Sequence, residues 1–276
     1  MDGKIDSRNK LNDLTGKEWL LLTKSFWLSE KCVDDKDAFK HPAPFLIKDL
    51  MKLISMFTKK GMNVLDPFCG SGTTLIAANN LERIGVGIDL NKEYKNLSVE
   101  RLNKKGFLEN QDYFYHIGDA NKILKKLEPI DYIVTSPPYH NILRNKGEGL
   151  RKQNEKGFRS GSRIGVEYYS EHENDLGNKE SYKEFLLSFE QIMQKCFSVL
   201  NAGKYATIII SDFTVDKAEV CVQADIVKCM QNCGFEFVGT TVLLQDNKPL
   251  YPFGYPYAYK INHNHQNIIN FRKLKE

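Results

Sequence analysis

Between Val64 and Thr135, short apolar runs alternate with helix-like stretches, and this rhythm leaves the chain very few architectures. Val64-Leu65 ends a first strand, Thr73–Asn80 reads as a helix, and Ile84–Asp89 is a second strand. A helix over Tyr94–Lys105, a strand over Tyr113–Ile117, a short helix over Asn121–Leu127 and a strand over Tyr132–Thr135 follow. Strands separated by helices lie parallel, because each crossover returns the chain to the same end of the sheet. After Tyr139 the rhythm stops. It resumes with a helix over Ser181–Leu200, a strongly apolar strand Tyr205–Ser211 and an amphipathic helix Ala218–Asn232. A strand Phe235–Leu244 and a final strand Asn267–Phe271 pair in hairpin fashion. Upstream, Trp19–Trp27 is an apolar, helix-like patch, and His41-Pro-Ala-Pro-Phe45 leads into a helix over Leu46–Thr58. The expectation is an α/β fold in a single doubly wound domain over residues 17–276. Its sheet has seven strands, mostly parallel with an antiparallel final pair, and helices on both faces. Residues 1–16 are expected to be flexible, and a basic, glycine-rich insert occupies about residues 140–180.

Open sheets of this kind bind ligands at the carboxyl ends of their strands, so those ends were read for chemistry. Asp66-Pro-Phe-Cys-Gly-Ser-Gly-Thr-Thr74 follows the first strand and opens a helix. Gly70 and Gly72 permit a tight turn and close approach of a ligand to the backbone. Thr73 and Thr74 place hydroxyls at a helix N-terminus, where free N–H groups favour polar or anionic groups. No Gly-Lys-Ser/Thr follows, which disfavours a nucleotide-triphosphate loop. Asp89 ends the second strand, where an acid can accept from a ribose diol. Asp119 ends the third, where it can accept from an adenine amine. Three carboxylates at three successive strand ends converge on one crevice and point to a nucleoside-type cofactor.

The fourth strand ends in Thr135-Ser136-Pro137-Pro138-Tyr139. Proline cannot donate to a sheet ladder, so the chain leaves the sheet here and holds a hydroxyl, a carbonyl and an aromatic face in a rigid turn. Such a turn suits a flat polar ring gripped by edge and face.

Taken together, these segments resemble the S-adenosylmethionine-dependent DNA methyltransferases of the exocyclic-amino, cytosine-N4/adenine-N6 family, with its Rossmann-like methyltransferase domain. Asp66–Thr74, Phe68 included, resembles the cofactor motif, Asp89 the ribose-binding acid and Asp119 the adenine contact. Ser136, Pro137, Pro138 and Tyr139 match the catalytic motif in its Ser-Pro-Pro-Tyr form. His41–Phe45, with Pro42, resembles the segment against the methionine end of the cofactor, and Gln266–Lys273 the last strand. The resemblance implies methyl transfer to the N4 amine of cytosine, with S-adenosylhomocysteine as product and no metal. Adenine-N6 methylation is the near alternative, since serine at position 136 favours cytosine only statistically. A guanosine-N2 RNA methyltransferase and a non-catalytic nucleic-acid-binding protein are alternatives of other classes. Carbon-5 methylation is disfavoured, because that chemistry uses a cysteine after proline and none of the nine prolines precedes one. A target amine inside a duplex requires base flipping.

Charge bears on the substrate through distribution rather than through the net +4. Seven basic residues lie between Arg144 and Arg163 against Glu148 and Glu155. Arg144, Lys146, Arg151, Lys152, Arg159 and Arg163 are therefore expected to meet phosphates from a flap behind Tyr139. Tyr251-Pro-Phe-Gly-Tyr-Pro-Tyr-Ala-Tyr259 is expected to pack as a loop against the sheet, with stacking on bases as the alternative. Six scattered cysteines do not form a disulfide framework, and those of the 221–233 region read as small core residues. Without an apolar signal core at the N-terminus or a run long enough to span a membrane, a cytoplasmic protein is expected. Its partners would be DNA and a cognate restriction endonuclease, as monomer or homodimer.

Overall fold

A computed structural model describes residues 3–41, 44–140, 169–216 and 218–275. Its elements are α1 (Gly16–Leu22), β1 (Phe26–Leu28), α2 (Ile47–Phe57), β2 (Asn63–Asp66), α3 (Thr73–Asn80), β3 (Ile84–Asp89) and α4 (Lys92–Asn103). Then come β4 (Tyr113–Ile117), α5 (Ala120–Ile123), β5 (Ile130–Thr135), α6 (Tyr182–Val199), β6 (Leu200–Ile210), β7 (Phe213–Val215) and β8 (Ala218–Val220). Helix α7 (Val222–Asn232), β9 (Glu236–Leu244) and β10 (His265–Arg272) close the chain. Among the described residues, eight strands form one sheet in the order β1-β9-β10-β6-β5-β2-β3-β4. From β6 to β4 neighbours are parallel, while β10 runs antiparallel to both β6 and β9.

Alternation along the strands sorts the core into two layers. Leu65, Ile133 and Ile208 face one side, with Phe185 and Phe189 of α6 and Ile226 of α7. Val64, Tyr132 and Ile209 face the other, with Leu50 and Leu53 of α2 and Leu75 of α3. Each fully buried large side chain contributes roughly 1.5–3 kcal/mol against exposure. Tyr132 is inside the sheet because its hydroxyl donates to Thr207 Oγ1 at 2.7 Å, which Asn270 Oδ1 in turn accepts from at 2.8 Å.

The sheet has eight strands rather than the expected seven because Trp19–Trp27 is not one helix. Helix α1 stops at Leu22, and Phe26–Leu28 extends to pair in parallel with β9, burying Trp27. The expected helix over Ala218–Asn232 is likewise split. Its first three residues pair with Phe213–Val215 in a small hairpin, and the helix begins at Val222. Nor are residues 1–16 loose throughout. Asn12 Nδ2 donates to the Met56 carbonyl at 2.7 Å, and the Lys60 amide and Arg83 Nη2 both donate to Asp13 Oδ2. Polar side chains can fasten a segment that carries little apolar signal. No helix among the described residues is long and apolar enough to cross a membrane.

Candidate active site

The order in which strands are added reverses between β2 and β5, and the carboxyl ends of these two parallel strands open side by side. Asp66 ends β2 and Thr135 ends β5, and the Thr135 hydroxyl donates to Asp66 Oδ1 at 2.6 Å. Thr74 Oγ1 donates to Asp66 Oδ2 at 2.5 Å, and the Phe68 amide donates to Oδ1 at 3.1 Å. Asp66 is thus enclosed, and burial pushes its carboxyl above the usual range. It joins the turn after β2 to the end of β5 rather than facing a ligand.

The glycine turn is built from behind as well. Gly70 and Gly72 both have left-handed backbones, with φ of +51° and +75°. A Cβ on Gly72 would lie 1.8 Å from Ser98 Oγ, so glycine here lets α4 pack against the start of α3. A Cβ on Gly70 would lie 3.0 Å from His41 Nε2, which places His41 directly over the turn. The buried Arg101 guanidinium donates through Nη1 to the Ser71 carbonyl at 2.5 Å and to Thr73 Oγ1 at 3.0 Å. The hydroxyls of Thr73 and Thr74, expected to face a ligand, are therefore spent inside the protein.

Asp89, at the end of β3, accepts from the Gly70 amide at 2.8 Å through Oδ2 and from the Asn91 amide at 2.8 Å through Oδ1. Desolvation outweighs these two bonds and pushes its carboxyl up to about 6. Asp119, after β4, accepts from the Asn121 amide as the N-cap of α5 and from Asn174 Nδ2 at 3.1 Å. Both acids line one cavity of about 910 Å³, which His41, Phe68 and Ser136–Tyr139 also line. Asp66, Gly70, Gly72, Thr73 and Thr74 stand behind that wall. Pro42 and the six basic residues Arg144, Lys146, Arg151, Lys152, Arg159 and Arg163 lie outside the described residues.

S-adenosylmethionine fits this donor set. Asp89 and Asp119 stand at the ends of adjacent parallel strands and suit the ribose diol and the adenine amine. Phe68, Leu90, Ala120 and Leu176 supply apolar cavity wall in the same region for a flat purine.

At the other end, the Tyr139 hydroxyl accepts from the Ser211 amide at 2.9 Å and from Gln266 Nε2 at 3.1 Å. Its ring stacks on Phe213, with centroids 5.5 Å apart and planes 23° apart. Ser211, Phe213 and Gln266 were not singled out in the sequence as site residues. The place of Ser211 just beyond the β6 terminus was the available signal, by the same strand-end rule that found Asp89. Asn174 and Tyr169 were missed too. Asn91 Nδ2 donates to the Tyr169 carbonyl at 2.9 Å, and nothing in the local sequence announces that contact.

Residues 58–234 match the family model described as "Methyltransferase domain", and residues 4–100 match the one described as "DNA methylase". The chain belongs to the methyltransferase family, and its first hundred residues carry the match to the DNA methylase model. Among curated relatives, the type II methyltransferase M2.DpnII of Streptococcus pneumoniae is 40% identical over 100 residues, covering 35% of this chain and 34% of that one. M2.LlaDCHI of Lactococcus lactis subsp. cremoris is 44% identical over 70 residues, covering 25% and 26%. The chain thus spans about a quarter to a third of the length of these relatives. Of solved structures, TrmN from Thermus thermophilus has a TM-score of 0.51 at 17% identity, over 88% of this chain and 52% of that one. That likeness concerns the fold alone.

Proposed function

We propose that this methyltransferase transfers a methyl group from S-adenosylmethionine to the exocyclic N4 amine of cytosine in DNA. The observation that carries the reading is the meeting of two ligand ends in one cavity. Ser136–Tyr139 lines the same space as Asp89 and Asp119, at the point where the strand order reverses. When bound, the cofactor supplies an electrophilic methyl on a sulfonium.

An exocyclic amine is a weak nucleophile because its lone pair is delocalised into the ring. The Ser136 hydroxyl and the Pro137 carbonyl are the acceptors for its two N–H protons. Those bonds strengthen as positive charge builds on nitrogen, so they favour the transition state over the bound base. Tyr139, backed by Phe213 and pinned through its hydroxyl, presents a fixed ring to the flipped base. The nitrogen lone pair forms the new N–C bond as the methyl–sulfur bond breaks, S-adenosylhomocysteine leaves, one N–H proton passes to water, and no covalent intermediate with the protein is needed. Phosphates beside the target fall to the basic flap that carries Arg144, Lys146, Arg151, Lys152, Arg159 and Arg163.

The test is incubation with labelled S-adenosylmethionine and either unmethylated DNA or RNA, followed by digestion and mass spectrometry of the nucleosides. N4-methylcytosine in DNA is expected. N6-methyladenine would move the proposal to the other base, and label confined to RNA would overturn the DNA assignment.

A further inference from the structure

Between β9 and β10 the chain makes an excursion whose rings divide into two sets. Tyr251 and Phe253, with centroids 5.5 Å apart, line the active-site cavity, with about half of Phe253 still open to solvent. Tyr255, Tyr257 and Tyr259 do the opposite and stand 73%, 94% and 89% exposed. The expected packing of this segment against the sheet therefore holds for none of these three rings.

The excursion is a built structure. At its base, the Gln245 amide donates to the Asn264 carbonyl at 2.7 Å. Asn262 then clamps Tyr251, accepting from its amide at 3.0 Å and donating to its carbonyl at 2.8 Å. At the tip, the Tyr257 and Ala258 amides donate to the Gly254 carbonyl at 2.8 and 2.7 Å. Gly254 has φ +77°, and a Cβ there would lie 2.4 Å from the Ala258 carbonyl oxygen, so the turn closes only on glycine. Pro252 and Pro256 restrict the backbone further. A stiff turn that exposes three large rings to water forgoes their burial, which a monomer gains nothing from.

We propose that Tyr255, Tyr257 and Tyr259 form a stacking arm for unpaired bases of the nucleic acid next to the target. Three observations select this occupant. The arm is continuous with the cavity that holds Tyr139, so a strand whose base enters that cavity passes beside it. The excursion over residues 247–264 contains no Asp or Glu and carries Lys248 and Lys260, a composition that tolerates phosphates. Exposed aromatic faces flanked by cations are the chemistry by which unstacked bases are held without regard to sequence. Flipping a base leaves its former neighbours and its partner unstacked, and those rings offer replacement surfaces. The inference rests on the proposed DNA substrate.

Three triple variants test it: Tyr255→Ser/Tyr257→Ser/Tyr259→Ser and the corresponding Phe and Leu sets. The probe is unmethylated DNA made by amplification, with methyl transfer, cofactor binding and sedimentation as readouts. The Ser set should raise KM for DNA about tenfold or more while leaving cofactor affinity unchanged. The Phe set should stay within about twofold of wild type, and the Leu set should fail as the Ser set does, since stacking needs a π face. Unchanged KM in the Ser set, with wild type active on DNA, overturns the arm alone. Full rescue by Leu, or dissociation of a dimer in the Ser set, also overturns it, in favour of an apolar protein contact. Wild type that transfers no methyl to DNA overturns the arm and the proposed substrate together.

Discussion

Tyr139 is held at three points: its hydroxyl accepts hydrogen bonds from the Ser211 amide and Gln266 Nε2, and its ring lies on Phe213. Tyr139→Ala should abolish transfer and leave cofactor affinity nearly intact, as measured by calorimetry beside turnover. Tyr139→Phe keeps the ring but strands the Ser211 N–H, which costs about 1–3 kcal/mol where water cannot replace the partner. Its stability should fall by that order in denaturant titration, with partial activity. Asp89 yields a prediction in pH. Its carboxyl, raised to about 6 by burial, holds a proton more tightly in the folded than in the unfolded chain. The ligand-free fold therefore loses stability as pH rises from the ordinary carboxylate range through about 6. Cofactor binding runs the other way. If the carboxylate takes the ribose diol as proposed, affinity should fall by up to about tenfold per unit below pH 6. Asp89→Asn should flatten that profile.

At the level of elements, the glycine turn depends on what packs behind it. Gly72→Ala would drive a methyl into Ser98 and keep a left-handed backbone that alanine resists. A loss of several degrees in Tm is expected. Adding Ser98→Gly should recover the steric part and leave roughly 1 kcal/mol of backbone strain. Arg101→Met removes the cation that holds the Ser71 carbonyl, and should weaken cofactor binding more than it lowers Tm. The strands and helices around this turn were legible because each carries its own period: Ile84–Asp89 and Tyr113–Ile117 have the bounds their apolar runs suggest. The edge strand Phe26–Leu28 was not legible. Three residues next to a helix give no period, and only pairing with β9, far along the chain, makes them a strand. Asp66, Thr73 and Thr74 were found as a motif but given the wrong direction. A sequence places a hydroxyl at a helix start without saying whether a buried acid or a ligand will claim it.

For the molecule as a whole, the sheet gathers residues from 29 to 266 into one cavity, so the site is a property of topology rather than of any segment. Asp89, Asp119 and Ser136, all expected from strand ends, line one cavity because parallel strands deliver their termini to one rim. The same rule stops short of Tyr169 and Asn174, which lie on irregular backbone whose path no periodicity encodes. Transfer to DNA should also weaken steeply with added salt. Replacing Arg151, Lys152 and Arg159 by Gln should reduce the salt slope of DNA binding by about three on a logarithmic plot, as fluorescence anisotropy would report.

Asn174 donates to the free side of Asp119, the place where an adenine amine would bind, and Asn91 beside Asp89 holds the Tyr169 carbonyl. The stretch 169–174 is thus moored to both of the acids' neighbourhoods before any cofactor arrives. A cofactor that takes Asp119 must share or displace that mooring, and free energy spent there is returned through the same residues. By reciprocity, the factor by which cofactor shifts the seating of 169–174 equals the factor by which that seating shifts cofactor affinity.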